Sequence, residues 1–137
     1  MKYLKSIFLI LFLVILDQIS KFYFFGKSIY IFKYFSITST FNTGITFGIF
    51  KGYNILFIFI ILLIIGFVIY LYKKDKKYSL AYGFILAGAF GNLIDRVFRG
   101  FVVDFIDFRI WPIFNLADAF VTMGVLLLIY YLWRDKN

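Results

Sequence analysis

The fold class this sequence predicts is an all-α integral membrane protein. Four transmembrane helices carry a small extracytoplasmic β-structure formed by two outer loops. Three observations predict it. Of 137 residues, 64% are hydrophobic and 25% aromatic, with a mean hydropathy of +0.94, far above a soluble domain. The apolar residues gather in four runs long enough to cross a bilayer, at 6–25, 54–72, 78–96 and 114–133. The segments joining the first to the second run and the third to the fourth are rich in β-branched and aromatic residues. A single membrane-embedded domain is expected over residues 1–137.

Lys2 and Lys5 precede the first run, which has no small-x-small cleavage site after it and continues past residue 16. It spans about 30 Å as a helix, so it reads as a retained transmembrane helix. Asp17 and Lys21 are i,i+4 partners toward its far end. They read either as an ion pair that orients the helix or as contacts to a lipid headgroup or substrate.

The connection 26–53 is long for a helical membrane protein and therefore expected to be functional. Residues 35–41 nearly alternate apolar and polar, the period of a half-buried strand, and residues 30–32 suggest a second. Asn42-Thr43-Gly44 is a turn signal, and residues 45–50 read as a short interfacial helix or hairpin. The second run carries no charge, so little chemistry is expected in it. Lys73-Lys74-Asp75-Lys76-Lys77 then marks a cytoplasmic loop. With four spans both termini fall on that side and the long loop lies outside. The outer segment 99–112 is β-rich and is expected to pair with the strand of the first outer loop.

Two asparagine–aspartate pairs interrupt the last two runs. Asn92/Asp95 and Asn115/Asp118 are each three residues apart, so each pair shares a helix face. Gly88 and Arg99 extend the first face and Thr122 the second. Asp95 lies 17 residues along an outward helix, roughly 25 Å, and Asp118 about 6 Å below the same surface on an inward one. A carboxylate in a span is costly and normally faces the bundle interior with a task.

Composition narrows that task. The chain has no Cys and no His, and its seven acidic residues are all Asp. Thiol nucleophiles, Ser-His-Asp triads and His- or Cys-based zinc sites are excluded, and no cofactor or metal is expected. The net charge of +8 comes from basic residues flanking apolar runs, which points to anionic lipids and topology rather than nucleic acid. Two close carboxylates share a proton, so one serves as base and the other as acid. That is the chemistry of aspartyl peptide hydrolysis. A small transporter using the aspartates as proton or cation sites is the competing class, although no inverted repeat is visible. A structural scaffold is the third.

Several blocks together resemble bacterial lipoprotein signal peptidase (signal peptidase II): Asp17-Gln18-Ile19-Ser20-Lys21, Asn42-Thr43-Gly44-Ile45-Thr46-Phe47, Gly88 through Arg96 with Val102-Val103-Asp104-Phe105, and Phe114-Asn115-Leu116-Ala117-Asp118. They cover nearly the whole chain in the family's order. Ile45-Thr46 departs from the small residues more usual there. The resemblance implies a catalytic pair of Asp95 and Asp118. Asn92, Arg96, Asn115, Asn42, Gly44, Asp17 and Lys21 would bind substrate or support the site. It implies cleavage of diacylglyceryl-modified prolipoproteins just before the lipidated cysteine, at the outer face of the bacterial cytoplasmic membrane. Membrane lipids would be the other partners, and the chain is expected to be a monomer.

Overall fold

The computed structural model describes residues 2–44 and 52–136, the side chain of residue 2 excepted. In chain order the elements are α1 (Lys2–Phe24), β1 (Ser28–Phe32), β2 (Phe35–Asn42), α2 (Asn54–Lys74), a 3-10 turn at Lys76–Tyr78, α3 (Ser79–Phe98), β3 (Val102–Asp107) and α4 (Leu116–Arg134). The four helices are long and apolar enough to cross a membrane, and each contains most of one of the runs read from the sequence. The interfacial element expected at residues 45–50 lies outside the described residues.

α3 is the hub of the bundle. Its small residues, among them Ala81, Gly83, Ala87, Gly88, Ala89 and Gly91, are all buried, which lets neighbouring backbones approach closely. A methyl group on Gly88 would collide with the Ala117 carbonyl and Val121 of α4. One on Gly124 of α4 would lie 2.6 Å from Ile85 and 2.7 Å from the Ala81 carbonyl. On another side, Ile65, Val68 and Tyr72 of α2 form a core with Tyr82, Ile85, Leu86 and Ala89 of α3. Leu13 of α1 packs with Ala87 and Phe120 where α1, α3 and α4 meet. The outward faces carry exposed Phe8, Phe12, Phe59, Leu63 and Leu126, as surfaces meant for acyl chains do.

The connections between α1 and α2 and between α3 and α4 build one antiparallel sheet in the order β1-β2-β3. β2 and β3 pair as the sequence pattern anticipated, with Ser36 opposite Asp107, Ile37 opposite Ile106, Thr40 opposite Asp104 and Asn42 opposite Val102. The other edge of β3 bridges Ile106 to Phe114, where the chain turns into α4. β3 is thus held on both sides and nearly all of it is buried. Phe24 of α1 stacks on Phe105, with centroids 4.9 Å apart, which ties the sheet to the helices. Asp104 is thereby fixed beside the start of α4.

Candidate active site

The site forms where the end of α3, the start of α4 and β3 converge. Asn115 is the N-cap of α4: its Oδ1 accepts the Asp118 N–H at 3.0 Å, and its own N–H donates to Asp118 Oδ2 at 3.2 Å. This reciprocal capping box satisfies helix-start donors and fixes Asp118 in the first turn. The Asn115 side chain also donates from Nδ2 to Asp104 Oδ1, at 2.6 Å. One asparagine therefore contacts both carboxylates. Asn42 Nδ2 donates to the other oxygen of Asp104 at 3.0 Å, and Asn92 Nδ2 to Asp118 Oδ1 at 2.9 Å.

Asp104 and Asp118 line a cavity of about 870 Å³, together with Asn42, Gly44, Asn92 and Arg96 on its polar side. Phe57 and Ile61 of α2 and Val121 of α4 contribute apolar wall. Neither carboxylate forms an ion pair among the described residues; each is held by neutral amides. Burial, and after it the negative charge of Asp118, raises the pKa of Asp104 to about 7, against the pull of the Asn42 and Asn115 donors. Asp104 can thus face the cavity as a neutral acid near neutral pH.

Asp95 is placed differently. It is fully buried and does not line the cavity. Lys21 lies 3.2 Å from its Oδ2, and Arg99 bonds its Oδ1. The Val103 N–H and Gln18 Nε2 donate to the same two oxygens, at 3.0 and 3.2 Å. Both oxygens are committed and both flanking cations are engaged. The structure departs here from the pairing of Asp95 with Asp118: the carboxylate sharing the cavity with Asp118 is Asp104.

The remaining expected residues divide into cavity wall and support. Asp17 and Lys21 are fully buried and 2.9 Å apart, so they reach neither lipid nor substrate. Asp17 Oδ1 accepts the Ala117 N–H at 2.9 Å, a second clamp on the start of α4. A methyl group on Gly91 would sit 2.5 Å from the other Asp17 oxygen, so this position needs glycine for close approach. Arg96 Nη2 donates to the Gly44 carbonyl at 2.8 Å, and Nη1 to Asn54 Oδ1 at 3.1 Å. Its guanidinium lies 4.7 Å over the Phe57 ring. Arg96 therefore joins the α1–α2 connection to α2 and α3.

The model of the family described as signal peptidase (SPase) II matches residues 9–134. The chain belongs to the signal peptidase II family. That makes it an aspartic-type peptidase and a multi-pass membrane protein. The lipoprotein signal peptidase of Halothermothrix orenii is 44% identical over 137 residues, covering 93% of this chain and 94% of its own. That of Staphylococcus aureus strain MRSA252 is 40% identical, covering 96% and 90%. A bacterial membrane enzyme solved by the in meso method at 2.3 Å superimposes with a TM-score of 0.88 at 38% identity, covering 97% of this chain and 90% of that one. Another, at 1.9 Å, gives 0.84 at 39% identity, covering 96% and 94%.

The cavity carboxylate that the sequence reading of this signal peptidase II chain did not single out is Asp104. Two signals in the sequence pointed to it. Arg99 stands at i+4 from Asp95, the spacing of a neutralised pair. Asp104 alternates with Val103 and Phe105 in an apolar strand, where an uncompensated carboxylate is costly.

Proposed function

We propose that this chain removes signal peptides from diacylglyceryl-modified prolipoproteins, cutting before the lipidated cysteine, with Asp104 and Asp118 as its acid–base pair. The single observation that carries the reading is the contrast among three buried or half-buried aspartates. Asp95 is neutralised by two cations, whereas Asp104 and Asp118 share a cavity and one bridging asparagine with no ion pair to either among the described residues. The α4 start supports the assignment of roles, because its N–H groups favour negative charge on Asp118. Asp104, with a pKa raised to about 7, supplies the acid.

In the reaction Asp118 takes a proton from water as the water oxygen bonds to the scissile carbonyl carbon. Asp104 gives its proton to the carbonyl oxygen, leaving a gem-diol. Collapse of the gem-diol breaks the C–N bond. Its hydroxyl proton returns to Asp104, and the proton on Asp118 goes to the leaving amine. Both carboxyl groups end as they began. The apolar wall of Phe57, Ile61 and Val121 suits a substrate whose acyl chains stay in the bilayer while its peptide meets the polar side.

Topology follows from charge. Lys73, Lys74, Lys76 and Lys77 lie at the bundle end that also carries Lys5 and Arg134, where Tyr72 bonds Ser6 and Lys77 pairs with Asp135. Both termini are therefore cytoplasmic and the site opens at the outer face. The test is a gel-shift cleavage assay with purified protein, a diacylglyceryl prolipoprotein and its unlipidated form. Asp104→Asn and Asp118→Asn should each lose roughly 10²–10⁴-fold in rate or more. Substantial cleavage by either correctly inserted variant removes that residue from the pair.

A further inference from the structure

Behind Asp118 lies a buried charge cluster that the hydrolysis itself does not use. Lys21 of α1 has no exposed surface. Its ammonium contacts Asp17 Oδ2 at 2.9 Å, Asp95 Oδ2 at 3.2 Å and Asn92 Oδ1 at 3.0 Å. With Arg99 on Asp95 the cluster holds two positive and two negative groups, so balance alone accounts for the two ionic contacts of Lys21. It does not account for the third, to a neutral amide.

That contact has a directional consequence. An ammonium has donors only, so it must meet the oxygen end of the Asn92 amide. The nitrogen end is then turned outward, where Nδ2 donates to Asp118 Oδ1 at 2.9 Å. Asn115 Nδ2 gives Asn92 Oδ1 a longer bond of 3.2 Å in the same sense, but the bond from Lys21 is charge-assisted and the stronger of the two. Turning the amide over would set its NH2 against the ammonium and its oxygen against a carboxylate.

We propose that Lys21 is a positioning residue of the peptidase reaction: its ammonium fixes the Asn92 amide, and the NH2 group so aimed holds Asp118 as the ionised base facing the cavity. The inference rests on Asp118 being that base. Among the described residues, the charged groups facing Asp118 across the cavity are Asp104 from β3 and Arg96 from α3. Behind Asn92 stand Lys21 and Asp17 from α1 and Asp95 from α3, with Arg99 paired to Asp95. α2 presents Phe57 and Ile61 to the cavity, neither of which titrates.

The experiment compares kcat and KM against pH for the wild-type protein, Lys21→Met, and the double variant Asp17→Asn/Lys21→Met. The double variant keeps the cluster balanced, one positive group against one negative, and the amide oxygen introduced at position 17 can still accept the Ala117 N–H. It therefore reads out the function even where the single variant fails to fold. A carboxylate that loses an oriented donor takes up protons more readily. The acidic limb of the kcat profile should move up by roughly one pH unit in the double variant, a tenfold loss of kcat below the limb, with KM nearly unchanged. Lys21→Arg, which keeps a cationic donor, should return the limb toward wild type. A double variant whose acidic limb coincides with that of the wild-type protein overturns the proposal, because Lys21 would then merely balance Asp17. Asp118→Asn is run beside them: full cleavage by that variant brings down the base assignment itself, a different failure from an unmoved limb.

Discussion

Replacing Asp104 by asparagine should make the protein more stable as pH rises relative to wild type while removing its activity. Asp104 is 4% exposed, and its carboxyl is raised from an ordinary 3.8 to about 7. The folded state therefore holds this proton more tightly than the unfolded chain. Its contribution to stability is fully present below pH 3.8, declines as the unfolded chain loses the proton, and is gone once pH exceeds about 7. The span is roughly three pH units at about 1.4 kcal/mol each, or on the order of 4 kcal/mol of stability lost by the wild-type protein between about pH 3 and pH 8. The amide of the variant has no proton to lose. It meets two donors, from Asn42 and Asn115, with only one acceptor, which costs about 1–3 kcal/mol at every pH. The variant should therefore start less stable at low pH and gain on the wild type throughout the rise to about pH 8. Thermal unfolding of both proteins in the same detergent at about pH 4, 6 and 8 measures the crossing. A stability difference that stays constant across this range would refute the reasoning, because Asp104 would then titrate alike in folded and unfolded chains.

Asp95→Asn should behave in the opposite way. It leaves Lys21 and Arg99 facing one fewer carboxylate, a loss on the order of 3 kcal/mol in a buried cluster, whereas the protein that still folds should cleave far better than Asp104→Asn. Unchanged thermal stability with abolished cleavage would restore Asp95 as a proton carrier. On the alkaline side, the wild-type cleavage rate should fall as pH rises through about 7, because Asp104 must hold its proton to act as the acid. A pH–rate profile that stays flat from about pH 6 to 9 would exclude that role.

The spans were legible because each apolar run is bounded by charge, and β2 because its polarity alternates. The pairing of β3 with β2 followed from their shared composition. The expectation that Asp95 would face Asp118 has a geometric origin. Depth along a helix can be counted from sequence, but direction around it is only loosely fixed by an i,i+3 spacing, which leaves two residues about 60° apart. That angle separates Asn92, which reaches both Asp118 on α4 and Lys21 on α1, from Asp95, which reaches Lys21 but not Asp118. Which neighbour fills each direction depends on how closely α1 and α4 approach α3, and buried glycines such as Gly88 and Gly91 set that distance. Asp104 was harder to see, since only the bridge from Ile106 to Phe114 brings its strand beside the start of α4.

The capping box of α4 ties the folding of that helix to the chemistry proposed for Asp118. The oxygen pair on Asp118, the base on the proposed route, also accepts the hydrogen bonds of Asn92 and of the Asn115 N–H. A protonated carboxyl group is a poorer acceptor than a carboxylate, so each turnover by this route briefly slackens the first turn of its own helix. Asn115 is bonded to both Asp118 and Asp104, so it links the start of α4 to β3. On that route the start of α4 would loosen and re-form once per turnover, with the Asp17 bond to Ala117 as a second clamp that does not involve Asp118.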